Sequence, residues 1–201
     1  SLSASRNDRE AVQIVLRPAK NLRGLTAAAG SLAGPDGATI AAEQIKILRV
    51  AYHFVHHPTD ATGVRDYWPD ALPPLDAPLD VEAGQNQPLW VLVHVPHDAT
   101  PGDYQATLTL KADGFAAEAP VALHVWDFTL PRQSHLKTAF GLSVGNIFQY
   151  HGLKTEEDKR KVVDLYLKSF ADHRISPYDP APLDPIRVNF LHDADPPRAE
   201  V

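Results

Sequence analysis

Ten histidines, 25 acidic side chains and no cysteine bound the chemistry open to this 201-residue chain. Without a thiol there is neither a disulfide framework nor a thiolate metal site. His53, His56 and His57 cluster, and His94 and His97 form a second pair. Imidazoles suit zinc, but no carboxylate stands at a ligand spacing from them. Strand alternation would also set His94 on one face with Trp90 and Leu92. The histidines are therefore read as satisfied or solvated, with no metal site and no cofactor. Tyr67 and Trp68 are a second candidate, adjacent rings in a Pro-rich stretch that runs to Pro73-Pro74 and Pro78. Such rings either offer a stacking platform for a sugar or staple their loop onto the protein, and both readings stay open. Trp90 and Trp126 lie inside strand patterns and are expected in the core. Arg6, Glu10 and Gln13 could form a polar group, but a solvated strand face accounts for them.

The elements that must position these residues are mostly strands. Val12, Ile14 and Leu16 alternate with Gln13, Val15 and Arg17 until Pro18 stops the run. A turn-rich stretch, Gly30 to Gly37, precedes a second alternation from Ile45, which is expected to continue to Val55. The segment from Tyr67 to Pro78 holds too many fixed φ angles for a central strand and reads as an ordered surface loop. Leu89 to Val95 is nearly continuous in Leu, Trp and Val, as in a strand covered on both faces or lying in a sandwich core. Pro101-Gly102 has the residue types of a type II turn. Tyr104, Ala106, Leu108 and Leu110 then share one face, Asp113-Gly114 is a hairpin turn, and Val121, Leu123 and Val125 return.

After Leu130-Pro131 the pattern changes. Thr155 followed by Glu156, Glu157 and Asp158 is a capped, dipole-matched helix start, and Val162, Val163, Tyr166, Leu167 and Phe170 recur at helical spacing. Leu136 to Val144 before it and Arg174 to Pro177 after it can be strands, completing one βαβ unit. Ligand contacts in such architecture come from the carboxyl ends of the strands and the loops beyond. Those positions are Ser143 to Asn146 and Tyr178 with Asp179. A carboxylate that bridges hydroxyls and a ring that stacks on a pyranose suit sugar binding, so Tyr178, Asp179 and Asn146 are the candidate substrate contacts. Tyr178-Asp179-Pro180 is equally an ordinary turn.

A formal net charge of −6, with 19 Lys and Arg scattered along the chain, argues against nucleic acid as a partner. No run of about 18 apolar residues exists to span a bilayer. No stretch reads as a signal peptide, and a first residue of Ser is taken as a processed or trimmed start. One βαβ unit cannot cover both faces of a parallel sheet. The residues from Asp193 to Val201 offer no closing element, so the chain is expected to be cut inside a domain.

Six phrases occur in order along most of the chain: Arg6-Asn7 with Glu10 and Gln13, Tyr67-Trp68-Pro69-Asp70, Gly84-Gln85-Asn86-Gln87-Pro88-Leu89-Trp90, Pro101-Gly102-Asp103-Tyr104, Val125-Trp126-Asp127-Phe128-Thr129-Leu130-Pro131, and His173-Arg174-Ile175-Ser176-Pro177-Tyr178. As a set they resemble the N-terminal region of bacterial family 123 glycoside hydrolases and of related barrel proteins with an N-terminal sandwich. The resemblance implies a mainly β fold, an antiparallel β-sandwich followed by the first β/α unit or units of an incomplete (β/α)8 barrel. The expected division is 1–132, a sandwich accessory domain, and 133–201, the start of a catalytic barrel.

The resemblance also implies hydrolysis of terminal N-acetylgalactosamine by an Asp-Glu pair on a later barrel strand, with the substrate acetamido group as nucleophile. Here the one adjacent pair, Glu157-Asp158, opens the predicted helix, so no catalytic residue is assigned. The expectation is a non-catalytic portion of a secreted or periplasmic glycoside hydrolase acting on N-acetylhexosamine-containing glycans. Its partners would be the glycan, met through the parent protein, and the remaining barrel of the same polypeptide, with no nucleic acid and no membrane. The rival reading is a stand-alone carbohydrate-binding or adhesion module.

Overall fold

The computed structural model describes residues 1–185, 188–191 and 198–200. The chain divides into two compact units, Ser1–Leu130 and Pro131–Val201, and is mainly β. Along the first unit run β1 (Leu2–Arg6), β2 (Arg9–Leu16), β3 (Leu22–Ala29), β4 (Leu32–Ala33), β5 (Thr39–Ile40), β6 (Ile45–Arg49), β7 (Tyr52–Phe54), β8 (Tyr67–Pro69), β9 (Leu79–Val81), β10 (Gln87–His94), β11 (Gly102–Ala112) and β12 (Phe115–Thr129). One sheet has the order β1-β12-β11-β3-β9, with β4 and β5 added beside β11. A second has the order β2-β10-β6, and β7 with β8 forms a separate hairpin.

The β11–β12 hairpin is the backbone of the large sheet. Its register runs from Gly102↔Val125 to Ala112↔Phe115 and closes on Asp113-Gly114, where Gly114 takes a φ of +66°. Alternation turns Tyr104, Leu108, Leu110, Val121, Leu123 and Val125 to one side, where they meet Leu89, Val91 and Val93 of β10 in a single buried cluster. Each such side chain taken out of water contributes about 1.5–3 kcal/mol before the entropy of ordering is subtracted. The other face of β10, bearing Trp90, Leu92 and His94, is only half-buried.

Several sequence expectations are corrected here. Leu2–Arg6 is a strand, and it pairs parallel, not antiparallel, with β12, from Leu2↔Leu123 to Arg6↔Thr129. The chain turns at Asn7, whose φ is +61°, straight from the large sheet into β2 of the small one. β1 thus has no hairpin partner in its own sheet and takes the edge of β12 that β11 leaves open. The Asn7 Nδ2 donates to the Leu130 carbonyl at 2.8 Å and ties this corner to the end of the unit. The strand from Ile45 stops at Arg49 and does not reach Val55, because Ala51 exchanges hydrogen bonds with Asp70 and Ala71 and the chain leaves the sheet as β7. Trp126 is 50% exposed and outside the core. Its neighbours Leu123 and Val125 take the inward side, leaving the indole against the His124 ring, 4.4 Å between centroids.

The Pro-rich segment lies at the periphery, as its fixed φ angles require. Its Pro73 carbonyl accepts from the Arg49 N–H at 3.0 Å and its Leu75 N–H donates to the Ile47 carbonyl at 3.0 Å, so it lines the outer edge of β6.

The second unit holds α1 (Val144–Tyr150), α2 (Glu156–Asp172), β13 (Asn189–Leu191) and β14 (Arg198–Glu200). The α2 start is as predicted: the Thr155 hydroxyl accepts from the Asp158 N–H at 3.1 Å. The two expected flanking strands shrink to one parallel bridge, Phe140↔Pro177. Val144 is helical and not the end of a strand, because Ser143 caps a short helix by accepting from the Asn146 N–H. Arg198–Glu200 pairs antiparallel with Asn189–Leu191, an element the sequence reading lacked. Residues Asp193 to Pro197 lie outside the described residues. Among the described residues no helix is long and apolar enough to cross a membrane.

Candidate functional site

The parallel bridge decides where the sequence-predicted contacts of the second unit stand. The Tyr178 N–H donates to the Phe140 carbonyl at 2.7 Å, so Tyr178 and Asp179 leave the carboxyl end of one strand where the other runs on toward Ser143. Asn146 follows in the first turn of α1. Tyr178 is 80% exposed, and Asn146 and Asp179 are exposed as well. Asp179 is engaged locally, its Oδ1 accepting from the Ala181 N–H at 2.9 Å in an Asx turn. Tyr178 and Asp179 thus lie just past the bridge and Asn146 six residues beyond Phe140, while no hydrogen bond joins their side chains among the described residues. Glu157 and Asp158 do open α2, and the Asp158 carboxylate accepts from the Thr155 hydroxyl at 2.7 Å. That carboxylate serves the helix cap.

In the first unit the Tyr67-Trp68 pair resolves differently from a two-ring platform. In the β7–β8 hairpin Phe54 faces Tyr67, His53 faces Trp68 and Tyr52 faces Pro69. Alternation then puts Tyr52, Phe54 and Tyr67 on one side and Trp68 on the other. The Trp68 indole N–H donates to the Val64 carbonyl at 2.9 Å, which staples the loop between the strands. Phe54 braces Tyr67 edge-on with centroids 5.0 Å apart, and Arg65 and the His56 ring also pack on Phe54.

The ring that joins Tyr67 comes from β7. A depression of about 590 Å³ is lined by Tyr52, Tyr67, Gln85 and Asn86. The β6–β10 register, Leu89↔Arg49 with the Val50 N–H donating to the Pro88 carbonyl, brings the ends of the two strands together, and Tyr52 and Asn86 beyond those ends line the same depression. Gly84, at a φ of +74°, turns the chain just before it, and the Gln87 carboxamide donates to the Val50 carbonyl at 3.1 Å. Sequence reading missed Tyr52 and gave Gln85 and Asn86 no role. The period-2 rule applied to Tyr67-Trp68 would have separated those two, but the Asn86–Tyr52 juxtaposition needs the register. A second depression, about 620 Å³ on the outer face of β11 and β12, has no aromatic lining among the described residues.

Several of the remaining charged and polar groups hold the fold together. Among the described residues no three His, Cys, Asp or Glu converge as a metal site. His94 Nδ1 lies 2.7 Å from the Gln44 amide oxygen, and His124 Nδ1 lies 2.7 Å from Asp103 Oδ1. Arg6 pairs with Asp127 at 3.1 Å and not with Glu10 or Gln13. The Thr62 hydroxyl, followed by the Thr62 and Gly63 N–H groups, holds the Asp60 carboxyl below its ordinary range at the tip of the β7–β8 loop. The Gly24 N–H, followed by Arg23, does the same for Asp80 and fastens β9 to β3.

No curated protein matches the sequence. Among solved structures, a family 123 glycoside hydrolase from Clostridium perfringens, studied for glycolipid glycan hydrolysis, superposes with a TM-score of 0.76 at 17% identity. The match covers 86% of this chain but 32% of that one, so the chain spans about a third of that relative. A PapD-like domain of human CEP192 (9% identity, 64% of this chain and 79% of that one) reaches a TM-score of only 0.30. AvmM, which catalyses macrocyclization in alchivemycin A biosynthesis, reaches 0.33 (10% identity, 65% of this chain and 88% of that one). Neither of these two scores carries weight. The model of the glycoside hydrolase 123 N-terminal domain matches residues 1–112, more than half of the sequence, and the chain belongs to that family.

Proposed function

We propose that this chain is the non-catalytic N-terminal portion of a glycoside hydrolase acting on N-acetylhexosamine-containing glycans outside the cytoplasm. Residues 1–132 act as a sandwich that braces or shapes a (β/α)8 barrel, and residues 133–201 begin that barrel. The observation that carries this reading is the likeness to the Clostridium perfringens enzyme, which at 86% coverage extends past the 130 residues of the first unit. The second unit supports it. Among its described residues only Ile147 and Val163 are buried apolar side chains, while Leu136, Phe140, Leu165 and Tyr178 stay exposed. A parallel pair with apolar residues left in water needs further elements to cover it. In this reading Asn146, Tyr178 and Asp179 contact substrate at the barrel mouth, beside an acid pair supplied by later strands.

The test compares this chain with the full natural polypeptide on 4-nitrophenyl N-acetylgalactosaminide and N-acetylglucosaminide. The expected result is hydrolysis by the longer protein and none by residues 1–201. Turnover by the 201-residue chain alone, or a natural polypeptide no longer than this chain, overturns the proposal and favours a stand-alone glycan-binding module.

A further inference from the structure

We infer that the depression between the β7–β8 hairpin and the Gly84 turn is a binding site for one neutral sugar residue of a glycan. Among the described residues the lining side chains are uncharged: two phenol rings, Tyr52 and Tyr67, and two carboxamides, Gln85 and Asn86. Among the described residues that lining carries no charge to pair with a phosphate, a carboxylate or a cation. A pyranose fits it, because its C–H face stacks on an aromatic ring while its hydroxyls, or an acetamido group, exchange hydrogen bonds with carboxamides that both donate and accept.

Two features separate this from rings that merely pack. Tyr67 is 65% exposed and Tyr52 40%, so both rings reach solvent. Among the described residues neither the Gln85 nor the Asn86 side chain has a hydrogen-bond partner, so both have their full capacity to offer. The site is also held in place before any ligand arrives. Phe54 fixes the Tyr67 ring, and the Trp68–Val64 hydrogen bond closes the loop behind it. On the other wall, the Gly84 N–H donates to the Pro18 carbonyl at 2.8 Å and the Gln85 N–H to the Glu82 carbonyl at 3.2 Å. A preformed site loses less ordering entropy on binding. The aromatic-free depression on β11 and β12 lacks this combination. The choice of a glycan, and not another neutral ring, rests on the glycoside hydrolase reading.

The experiment is a ¹H–¹⁵N NMR titration of the 201-residue chain with N-acetylgalactosamine, N-acetylglucosamine and galactose, and with glycans ending in each. A single sugar residue with two stacking rings is expected to bind at a Kd of about 1 mM. Shifts should centre on Tyr52, Tyr67, Gln85 and Asn86. Tyr67→Ala and Asn86→Ala should each weaken binding about tenfold, the equivalent of one lost good contact. Tyr67→Phe should retain it, since the ring face and not the hydroxyl makes the contact. Thr109→Ala should leave affinity within twofold, because Thr109 lines the other depression, on β11 and β12. Absence of shifts at these residues with every sugar, or binding lost with Thr109→Ala but kept with Tyr67→Ala, refutes the site. Sugar binding here by a protein whose full-length form hydrolyses no hexosaminide would sink the functional proposal and keep the site. Hydrolysis without binding here would do the reverse.

Discussion

Gly34 and Gly30 lie four residues apart and should respond oppositely to alanine. Neither has a positive φ, so the substitution tests space and not backbone strain. A Cβ on Gly34 would overlap the Tyr104 ring, lying 2.6 Å from Cδ1 and Cζ and in closer conflict with Cε1. Tyr104 is 1% exposed, and its hydroxyl donates to the Thr100 carbonyl at 2.7 Å, so the ring has nowhere to move without breaking that bond. Overpacking of this kind costs about 1–3 kcal/mol. The lower entropy of the unfolded alanine chain returns about 0.4–1 kcal/mol. The net expectation is a loss of about 2 kcal/mol, toward the upper end because the overlap is with a pinned ring. For a unit of 130 residues the unfolding entropy is roughly 0.27 kcal/mol per kelvin, so Tm should drop by about 7 °C. Gly30→Ala meets nothing within 4 Å and should hold Tm or raise it by about 1–4 °C. The assay is thermal unfolding of the whole chain followed by near-UV circular dichroism, which reports on buried tyrosine. Equal melting temperatures for Gly34→Ala and the parent would refute the packing argument.

Leu108→Ala, at a fully buried position on β11, should cost about 2–5 kcal/mol by urea unfolding; a loss under 1 kcal/mol would mean that the two sheets do not share one tight core. Thr155→Ala removes the α2 cap and should cost about 1 kcal/mol, with Thr155→Ser restoring most of it; equal losses for both would point away from the hydroxyl. Asp80 is held below its ordinary value of 3.8 by the Gly24 N–H and then by Arg23. A depressed carboxyl stabilises the fold above its unfolded pKa and loses that contribution as pH falls through the folded one. The Tm difference between parent and Asp80→Asn should therefore be present at pH 6–7 and close in the acid range below 3.8; an offset independent of pH would contradict the assignment.

What could be read directly from the residues was whatever depends on neighbours a few positions apart. Asp113-Gly114 selects a two-residue hairpin because few other pairs take its backbone angles, and the alternating faces of Gly102–Ala112 and of Val121, Leu123 and Val125 follow from the period of two. The α2 start was legible because Thr155 and three following acids satisfy the exposed N–H groups locally. The six ordered phrases pointed to the family that the match over residues 1–112 confirms.

Choices between distant partners were not legible. The parallel pairing of β1 with β12 joins residues about 120 positions apart, and nothing in Leu2–Arg6 names its partner. Trp126 was expected inside because it lies within a strand pattern, yet the inward places on β12 already belong to Leu123 and Val125. The same limit governed the candidate site. Tyr67 announced itself as an aromatic beside proline, and alternation could have removed Trp68 from its side. That Asn86 and Tyr52 line one depression depends on the register between β6 and β10, a long-range hydrogen-bonding pattern that local residue preferences leave open and only the folded sheet decides.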